Sequence, residues 1–179
     1  MSFSEVNPYY LGQGIGILAF LIGLTVFIQR DDKKLKIRLI IYTACMGLHF
    51  FLLGATPAGI SASLNAVRTL VSIYFRKSVI MYIFITLTLT LTLPNIHHWM
   101  EFLPVVATIM STVAFFKFTQ LKLRITMWLS TVCWVIYNFW IGTLGGTLIE
   151  ASFLLINGIA IYRFTVLKKK GIDPFAKQK

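Results

Sequence analysis

Long apolar runs recur along the whole chain, and they restrict its fold more than any other feature. Residues 15–28 and 132–141 are two of these runs, and short charged or glycine-rich segments separate one run from the next. Hydrophobic residues make up 57% of the 179 residues, whereas soluble domains contain about 45–50%. Because a soluble domain of this length cannot bury so much apolar surface, we expect a lipid bilayer to surround the chain.

The period of the apolar pattern distinguishes helical membrane proteins from β-barrels, the two architectures that span a bilayer. Backbone N–H and C=O groups need internal partners there, and only helices and closed barrels provide them. Barrel strands alternate polar and apolar residues in segments of about ten residues. Residues 85–93 do alternate threonine and leucine, but the other runs are continuously apolar. We therefore predict an all-α membrane protein in which residues 78–93 are helical and the threonine hydroxyls bond carbonyls one turn earlier.

Proline and glycine residues divide the apolar runs into seven predicted transmembrane helices. Turns are expected at Pro57, at Pro94 and at the glycine-rich residues 142–146. Several runs are shorter than the ~20 residues of a typical span. The predicted spans are residues 10–29, 39–54, 58–75, 78–93, 102–116, 125–141 and 146–167.

Basic residues lie at only one set of span ends. This set holds sixteen of the seventeen Lys and Arg residues, and Arg68, inside a span, is the exception. Because basic loops stay in the cytoplasm, we expect the N-terminus outside and the C-terminus in the cytoplasm, with residues 168–179 as a basic tail. Topology and contact with anionic lipid then explain the net charge of +11, and no nucleic-acid partner is expected.

Two segments of the chain share a pattern of spaced residues. Residues 43–54 and 131–142 both read T-x-C-x5-F-x-x-G. Because they fall in the second and sixth spans, they indicate two three-helix repeats, residues 10–75 and 102–167. Helix 78–93 has no counterpart, and as a single linker it makes the repeats parallel. Parallel repeats occur in transporters that bind solute near the membrane midplane, although a duplication can also simply make a stable bundle.

This 3+1+3 arrangement resembles the SWEET, PQ-loop and vitamin-transporter superfamily. The resemblance implies that Asn65 and Asn157, in the third and seventh spans, match the pair of asparagines that contacts substrate in sugar transporters. Those transporters carry helix-kinking prolines in both halves. Here Pro104 lies in the fifth span, but the first span contains glycines and no proline.

A closer resemblance rests on six stretches of the chain, residues 49–54, 65–70, 138–140, 145–150, 152–155 and 171–175. In these stretches the chain resembles the YgjV-type bacterial inner-membrane proteins. This resemblance implies a multi-pass protein of the bacterial inner membrane.

Arg68 is the strongest functional candidate, because a charge deep inside a span is costly. Translocon scales put a central arginine at roughly 2.5–3.5 kcal/mol. Asn65 precedes it by three residues and therefore shares its helical face. The pair could offer a cation and an amide to a polar solute with an anionic group. Alternatively, Arg68 extends to the cytoplasmic interface or braces the linker helix.

Glu150 is the candidate for ion coupling. It opens the predicted seventh span, and Asn157 follows it two turns later on the same face. Its carboxylate could bind a proton or a cation, or it could pair with Arg68. A carboxylate near a helix N-terminus is also favourable through the helix dipole alone.

Three further residues complete the predicted solute site. His49 and Asn138 lie near the ends of the second and sixth spans, one residue out of register in the repeat. Trp134 lies on the sixth span and could stack on a sugar or a base, although aromatic residues also commonly pack or line the interface.

No chemistry beyond binding is expected from the remaining polar residues. His97, His98 and Glu101 form H-H-x-x-E in an outer loop, but two or three ligands are too few to predict a metal site. No nucleophile-elbow, zinc-protease or P-loop pattern occurs. We therefore expect no metal, no cofactor and no enzymatic activity.

Two functions are compatible with this pattern. The first is a transporter of a small polar solute that works by alternating access between the two repeats. It could act as a monomer, since one chain holds both repeats, or as a homo-oligomer. The alternative is a membrane scaffold or accessory subunit that transports nothing. A hydrated pocket at Asn65, Asn157 and Arg68 favours the transporter, and a tightly packed midplane favours the scaffold.

Overall fold

The described part of the chain is helical throughout. The computed structural model describes residues 7–28, 32–75 and 77–170, so residues 171–179 of the predicted basic tail lie outside it. The described residues contain no strand, which confirms the all-α class. The helices are α1 (Pro8–Ile28), α2 (Asp32–Leu52), α3 (Thr56–Tyr74), α4 (Ser78–Thr92), α5 (Phe102–Lys117), α6 (Gln120–Trp140) and α7 (Leu144–Lys169).

The alternating threonine–leucine segment belongs to α4, as predicted. The Thr88 hydroxyl donates to the Phe84 carbonyl over 2.7 Å, and the Thr90 hydroxyl donates to the Thr86 carbonyl over 2.9 Å. These bonds to the preceding turn satisfy the hydroxyl groups without a partner from another helix. The helical conformation therefore tolerates threonine at every second position.

Polar side chains lie inside the bundle, and large apolar side chains lie outside it. His49 and Asn138 are fully buried, while Phe139 is 78% exposed and Leu155 is 67% exposed. In water these apolar side chains would remain exposed to solvent at a cost in free energy, whereas hydrocarbon accommodates them. The distribution thus agrees with a multi-pass membrane protein.

Four segments are long and apolar enough to cross a membrane by length and composition alone. In α2 the apolar stretch is shorter, at Ile37–Leu52. Helices α3 and α6 are long enough, at 19 and 21 residues, but are more polar. Crossings by α2, α3 and α6 stay predictions. The four segments, searched within the described residues, are Pro8–Val26, Ser78–Asn95, Trp99–Lys117 and Leu144–Leu167.

Six helices pack in a closed ring. Each helix in the order α1, α2, α3, α5, α6 and α7 packs against the next, and α7 packs back against α1. Helix α4 packs against α3 and α5. Glycine permits the α1–α7 contact, because a Cβ atom at Gly145 would overlap the backbone of Gly16.

Helices α2 and α6 end with the same backbone motif. Gly54 has φ = +74° and Gly142 has φ = +71°, values that glycine adopts without the steric cost of a side chain. In both motifs the amide of the following residue donates to the carbonyl five positions earlier, over 2.9 Å after α2 and 3.0 Å after α6. This is the Schellman cap, and it turns the chain sharply into the next helix.

Candidate functional site

A cavity of about 100 Å³ lies among α2, α3, α5, α6 and α7. Four of the predicted site residues line it: Asn65, Arg68, Trp134 and Glu150. The cavity thus combines a guanidinium, an amide, an indole and a carboxyl group with hydroxyl groups and apolar side chains. Such a mixture of apolar surface and a few polar groups is typical of a small-molecule site.

Arg68 is buried in the bundle, and among the described residues its hydrogen-bond partners are hydroxyl groups. Its Nη1 donates to Ser111 Oγ over 2.8 Å and to Thr112 Oγ1 over 2.9 Å, and its guanidinium carbon lies 4.8 Å from the centre of the Phe115 ring. Its Nε is buried and has no hydrogen-bond partner within the part of the chain that the structure describes. The guanidinium forms no ion pair with a carboxylate of the described residues. The buried positive charge is therefore uncompensated within that part of the chain.

The environment of Arg68 also decides between the alternative roles predicted for it. Only 4% of its surface is exposed, so the side chain does not extend to the membrane interface. Its partners lie on α5 rather than on the linker helix α4, so it does not brace α4. The guanidinium is instead held at the wall of the cavity.

Asn65, like Arg68, forms a hydrogen bond to helix α5. Its Nδ2 donates to Thr108 Oγ1 over 3.3 Å, and its Oδ1 is buried without a partner. The three hydroxyl residues Thr108, Ser111 and Thr112 are spaced i, i+3 and i+4, which places them on one face of α5. This stripe of hydroxyl groups is visible in the sequence and could have identified α5 as the helix that faces Arg68.

Glu150 lies on the opposite side of the cavity from α3, on α7. Its Oε1 accepts a hydrogen bond of 2.8 Å from the Tyr42 hydroxyl, and 8% of its surface is exposed. Helix α7 begins at Leu144, with no acidic residue in its first turn. The expectation that Glu150 opens the helix is therefore wrong, and the dipole explanation loses its basis because the effect falls off within the first turn. Glu150 and Arg68 share the cavity without forming an ion pair.

Trp134 both lines the cavity and packs in the core. Its ring stacks on Phe50 with centroids 5.6 Å apart and an interplanar angle of 18°. An edge contact with Tyr137 fixes its other side, with centroids 6.4 Å apart. The indole is thus held in one orientation, and this rigidity suits either a stacking platform or a core residue.

Two of the predicted site residues, His49 and Asn138, form hydrogen bonds outside the cavity. His49 Nδ1 lies 2.7 Å from the Gly12 carbonyl oxygen on α1. Asn138 donates to the Trp134 carbonyl over 2.8 Å and accepts from the Thr143 hydroxyl over 2.7 Å, so it stabilises the α6–α7 turn. His49 thus joins α2 to α1, Asn138 joins α6 to its turn, and neither side chain lines the cavity.

Asn157 is also separate from the cavity. It is half-buried on α7, about two turns beyond Glu150, and it is not among the lining residues. The structure therefore does not bring Asn65 and Asn157 to one cavity, and a solute contact by Asn157 stays a prediction. The cavity contains Tyr42 instead, for which the sequence carried no signal.

The loop between α4 and α5 uses its acidic residue as a cap. Glu101 Oε2 accepts from the His97 amide over 2.6 Å and from the His98 amide over 3.1 Å. The His98 ring stacks on Trp140 with centroids 4.6 Å apart. Among the described residues there is no group of three or more potential metal ligands. The H-H-x-x-E segment thus acts in local structure, at the start of α5.

Comparison with known proteins identifies the family. The sequence model of the Imp-YgjV family, described as "Bacterial inner membrane protein", matches residues 10–168. The chain is 53% identical over 174 residues to inner membrane protein YgjV of Escherichia coli (strain K12), and the match covers 97% of this chain and 95% of that protein. No solved structure matches the chain. The chain belongs to the Imp-YgjV family of bacterial inner membrane proteins.

Proposed function

We propose that the protein transports a small polar solute across the bacterial inner membrane and binds it in the cavity. The observation that carries this proposal is the state of Arg68, a buried cation at the cavity wall with no carboxylate partner among the described residues. Ionisable residues inside a membrane bundle are costly and are retained mainly where they face a pathway or a ligand. A scaffold gains nothing from an uncompensated guanidinium beside a void.

The packing order of the helices supports alternating access between two parallel repeats, residues 10–75 and 102–167. In the ring, the third helix of each repeat meets the first helix of the other, at the α3–α5 and α7–α1 contacts. The matching Schellman caps at Gly54 and Gly142 are a second sign of duplication. We extend the proposal to membership of the SWEET and PQ-loop superfamily, with α4 as the linker of a 3+1+3 fold.

The cavity residues divide into two roles in this proposal. Arg68 and Asn65 bind the solute through their nitrogen and oxygen atoms, and Trp134 provides an apolar wall. Glu150 supplies the negative charge that takes up a cation, with Tyr42 orienting its carboxyl group. The N-terminus lies outside and the C-terminus in the cytoplasm, as the basic residues indicate.

One observation favours the alternative, a membrane scaffold or accessory subunit. The cavity of about 100 Å³ is smaller than the roughly 300–1,000 Å³ of ordinary ligand sites. A transporter in an occluded state has a small cavity for functional reasons, whereas a scaffold has one only through imperfect packing. Ligand binding separates the two.

The test is a thermal-shift screen of purified protein against sugars, nucleosides, vitamins, amino acids and organic acids. Three proteins are compared: the wild type, Arg68→Ala and the control Arg124→Ala. Arg124 is matched because it also packs on a ring, 4.6 Å from Phe164, but does not line the cavity. A ligand at 100 times its Kd adds about 2.7 kcal/mol of stability.

A transporter predicts a hit that Arg124→Ala keeps and Arg68→Ala loses. It also predicts uptake of that solute into proteoliposomes, which Arg68→Ala abolishes while still inserting into the membrane. A wild type that melts cooperatively without any hit contradicts solute binding at the cavity and supports the scaffold.

A further inference from the structure

Resting on the proposed transport function, we infer that the cavity binds a small zwitterion, an amino acid with little or no side chain. The carboxylate of the solute would bind Arg68, and its ammonium group would bind Glu150. The cation that Glu150 takes up is then the solute's own. Four properties of the cavity support this inference: its charges, their unused bonding capacity, its size and its walls.

The cavity presents one fixed positive group and one carboxyl group that do not neutralise each other directly. Arg68 comes from α3 and Glu150 from α7, and no ion pair joins them. A guanidinium stays protonated in proteins, so the cavity needs an anionic group near Arg68. A solute that carries both charges can pair with Arg68 and with Glu150, whereas a simple anion or cation can pair with only one of them.

Both groups retain bonding capacity. All hydrogen bonds of Arg68 with described residues use Nη1, and Nε is buried without a partner. Glu150 uses only Oε1, which accepts from Tyr42. A guanidinium edge binds a planar carboxylate through two parallel hydrogen bonds. The second oxygen of Glu150 has no hydrogen-bond partner among the described residues and can accept from an ammonium group. In the same part of the chain, Asn65 Oδ1 is buried without a partner.

The volume restricts the size of the solute. A cavity of about 150 Å³ holds benzene, with its six carbon atoms, and this cavity measures about 100 Å³. Glycine and alanine are close to this limit, whereas a hexose or a nucleoside is far above it. A larger amino acid would not fit within this volume.

The remaining lining combines aromatic rings with hydroxyl side chains. Phe50, Phe115 and Trp134 line the cavity, and the hydroxyl residues that line it are Thr43, Thr69, Ser111, Ser130 and Thr131. The aromatic rings lower the local dielectric constant and so strengthen the electrostatic attraction between the solute and the two charged groups.

The test compares a zwitterion with its two halves. Binding of glycine, alanine, acetate, methylammonium, leucine and glucose to the purified protein is measured by calorimetry. We expect glycine or alanine to bind, and acetate and methylammonium to bind at least about tenfold more weakly, since each loses one charge-assisted contact. Leucine and glucose should not bind.

Matched variants assign each half of the solute to its residue. Arg68→Gln should weaken glycine binding at least about tenfold and remove acetate binding. Glu150→Gln should weaken glycine binding to a similar extent but leave acetate binding unchanged. Ala62→Leu, which fills the cavity and keeps both charged groups, should weaken alanine more than glycine. The wild-type panel decides the question even if a variant fails to fold.

Several results would overturn the inference. Acetate binding as tightly as glycine would show that Glu150 does not contact the solute. If glucose bound to the wild type and not to Arg68→Gln, the proposed transport function would be retained, but the proposal of a zwitterionic solute would be refuted. Absence of binding by glycine and alanine to a cooperatively folded wild type would also refute it. The broader solute screen, in contrast, decides whether the protein transports anything.

Discussion

Tyr42 and Glu150 lie 108 positions apart in the chain, and a hydrogen bond of 2.8 Å joins them in the interior of the bundle. The bond connects α2 to α7, two helices on either side of α1 in the ring. It gives the buried carboxyl group a donor, which a buried charge or dipole requires. The pair therefore links the stability of the bundle to the chemistry of the cavity.

Removing the tyrosine hydroxyl should destabilise the protein. In Tyr42→Phe the buried Glu150 carboxyl loses its donor, and an unsatisfied buried polar group costs about 1–3 kcal/mol. Denaturant unfolding in detergent measures the loss. Glu150→Gln is the control, because the amide oxygen still accepts from Tyr42, and it should cost less. Equal stability of Tyr42→Phe and the wild type would mean that water already satisfies the carboxyl group.

A methyl group at the contact between α1 and α7 should separate the two helices. A Cβ atom at Gly145 overlaps the Gly16 backbone, whereas a Cβ atom at Gly14 meets nothing within 4 Å. We expect Gly145→Ala to lower the free energy of unfolding by about 1–3 kcal/mol through overpacking. Gly14→Ala should be neutral or raise it by about 0.5–1 kcal/mol, since alanine favours a helix. A neutral Gly145→Ala would contradict the close approach.

The two Schellman caps should respond alike to substitution. At Gly54 and Gly142 a Cβ atom meets nothing within 4 Å, but φ is positive at both. Alanine at either position should therefore cost about 1–2 kcal/mol of backbone strain, and asparagine should cost less because it tolerates this conformation. Thermal unfolding of the four single variants checks the order. Equal effects of alanine and asparagine would argue against the left-handed turn.

The two hydroxyl partners of Arg68 should act as one unit. Ser111→Ala and Thr112→Val each leave Nη1 one acceptor, so we expect each single change to cost less than about 1.5 kcal/mol. The double variant leaves the buried guanidinium with no protein acceptor at Nη1 and should cost more than the sum of the singles. A double-mutant cycle should show a coupling of about 0.5–3 kcal/mol. Additive losses would show that water or a solute already solvates Nη1.

Fusion reporters test the orientation. Alkaline phosphatase fused after His98, in the loop between α4 and α5, should be active because this loop is expected outside. A green fluorescent protein fused to the C-terminus should fluoresce because the basic tail is expected in the cytoplasm. The reverse pattern would overturn the orientation, and activity in neither position would indicate a wrong number of crossings.

Hydropathy predicted the existence of the helices better than their ends. The sixth span was predicted at residues 125–141, whereas α6 is Gln120–Trp140 and begins one turn earlier. The apolar pattern stops at Lys122 and Arg124, because charged side chains interrupt it. The backbone stays helical through them, since its hydrogen bonds do not depend on side-chain polarity. The predicted span therefore ends where the apolar run ends, and the helix extends beyond it.

The sequence by itself determined the membrane environment and the all-α class, and it identified Arg68, Asn65 and Glu150 as candidate site residues. These conclusions depend on apolar content and on the cost of a charge in hydrocarbon, which are local properties of each segment. Only the tertiary structure decided that Arg68 meets Ser111, 43 positions away, that Tyr42 meets Glu150, and that Asn157 stays outside the cavity. The face that each helix turns toward the others follows from side-chain packing between segments distant in the chain, and no single segment encodes that contact.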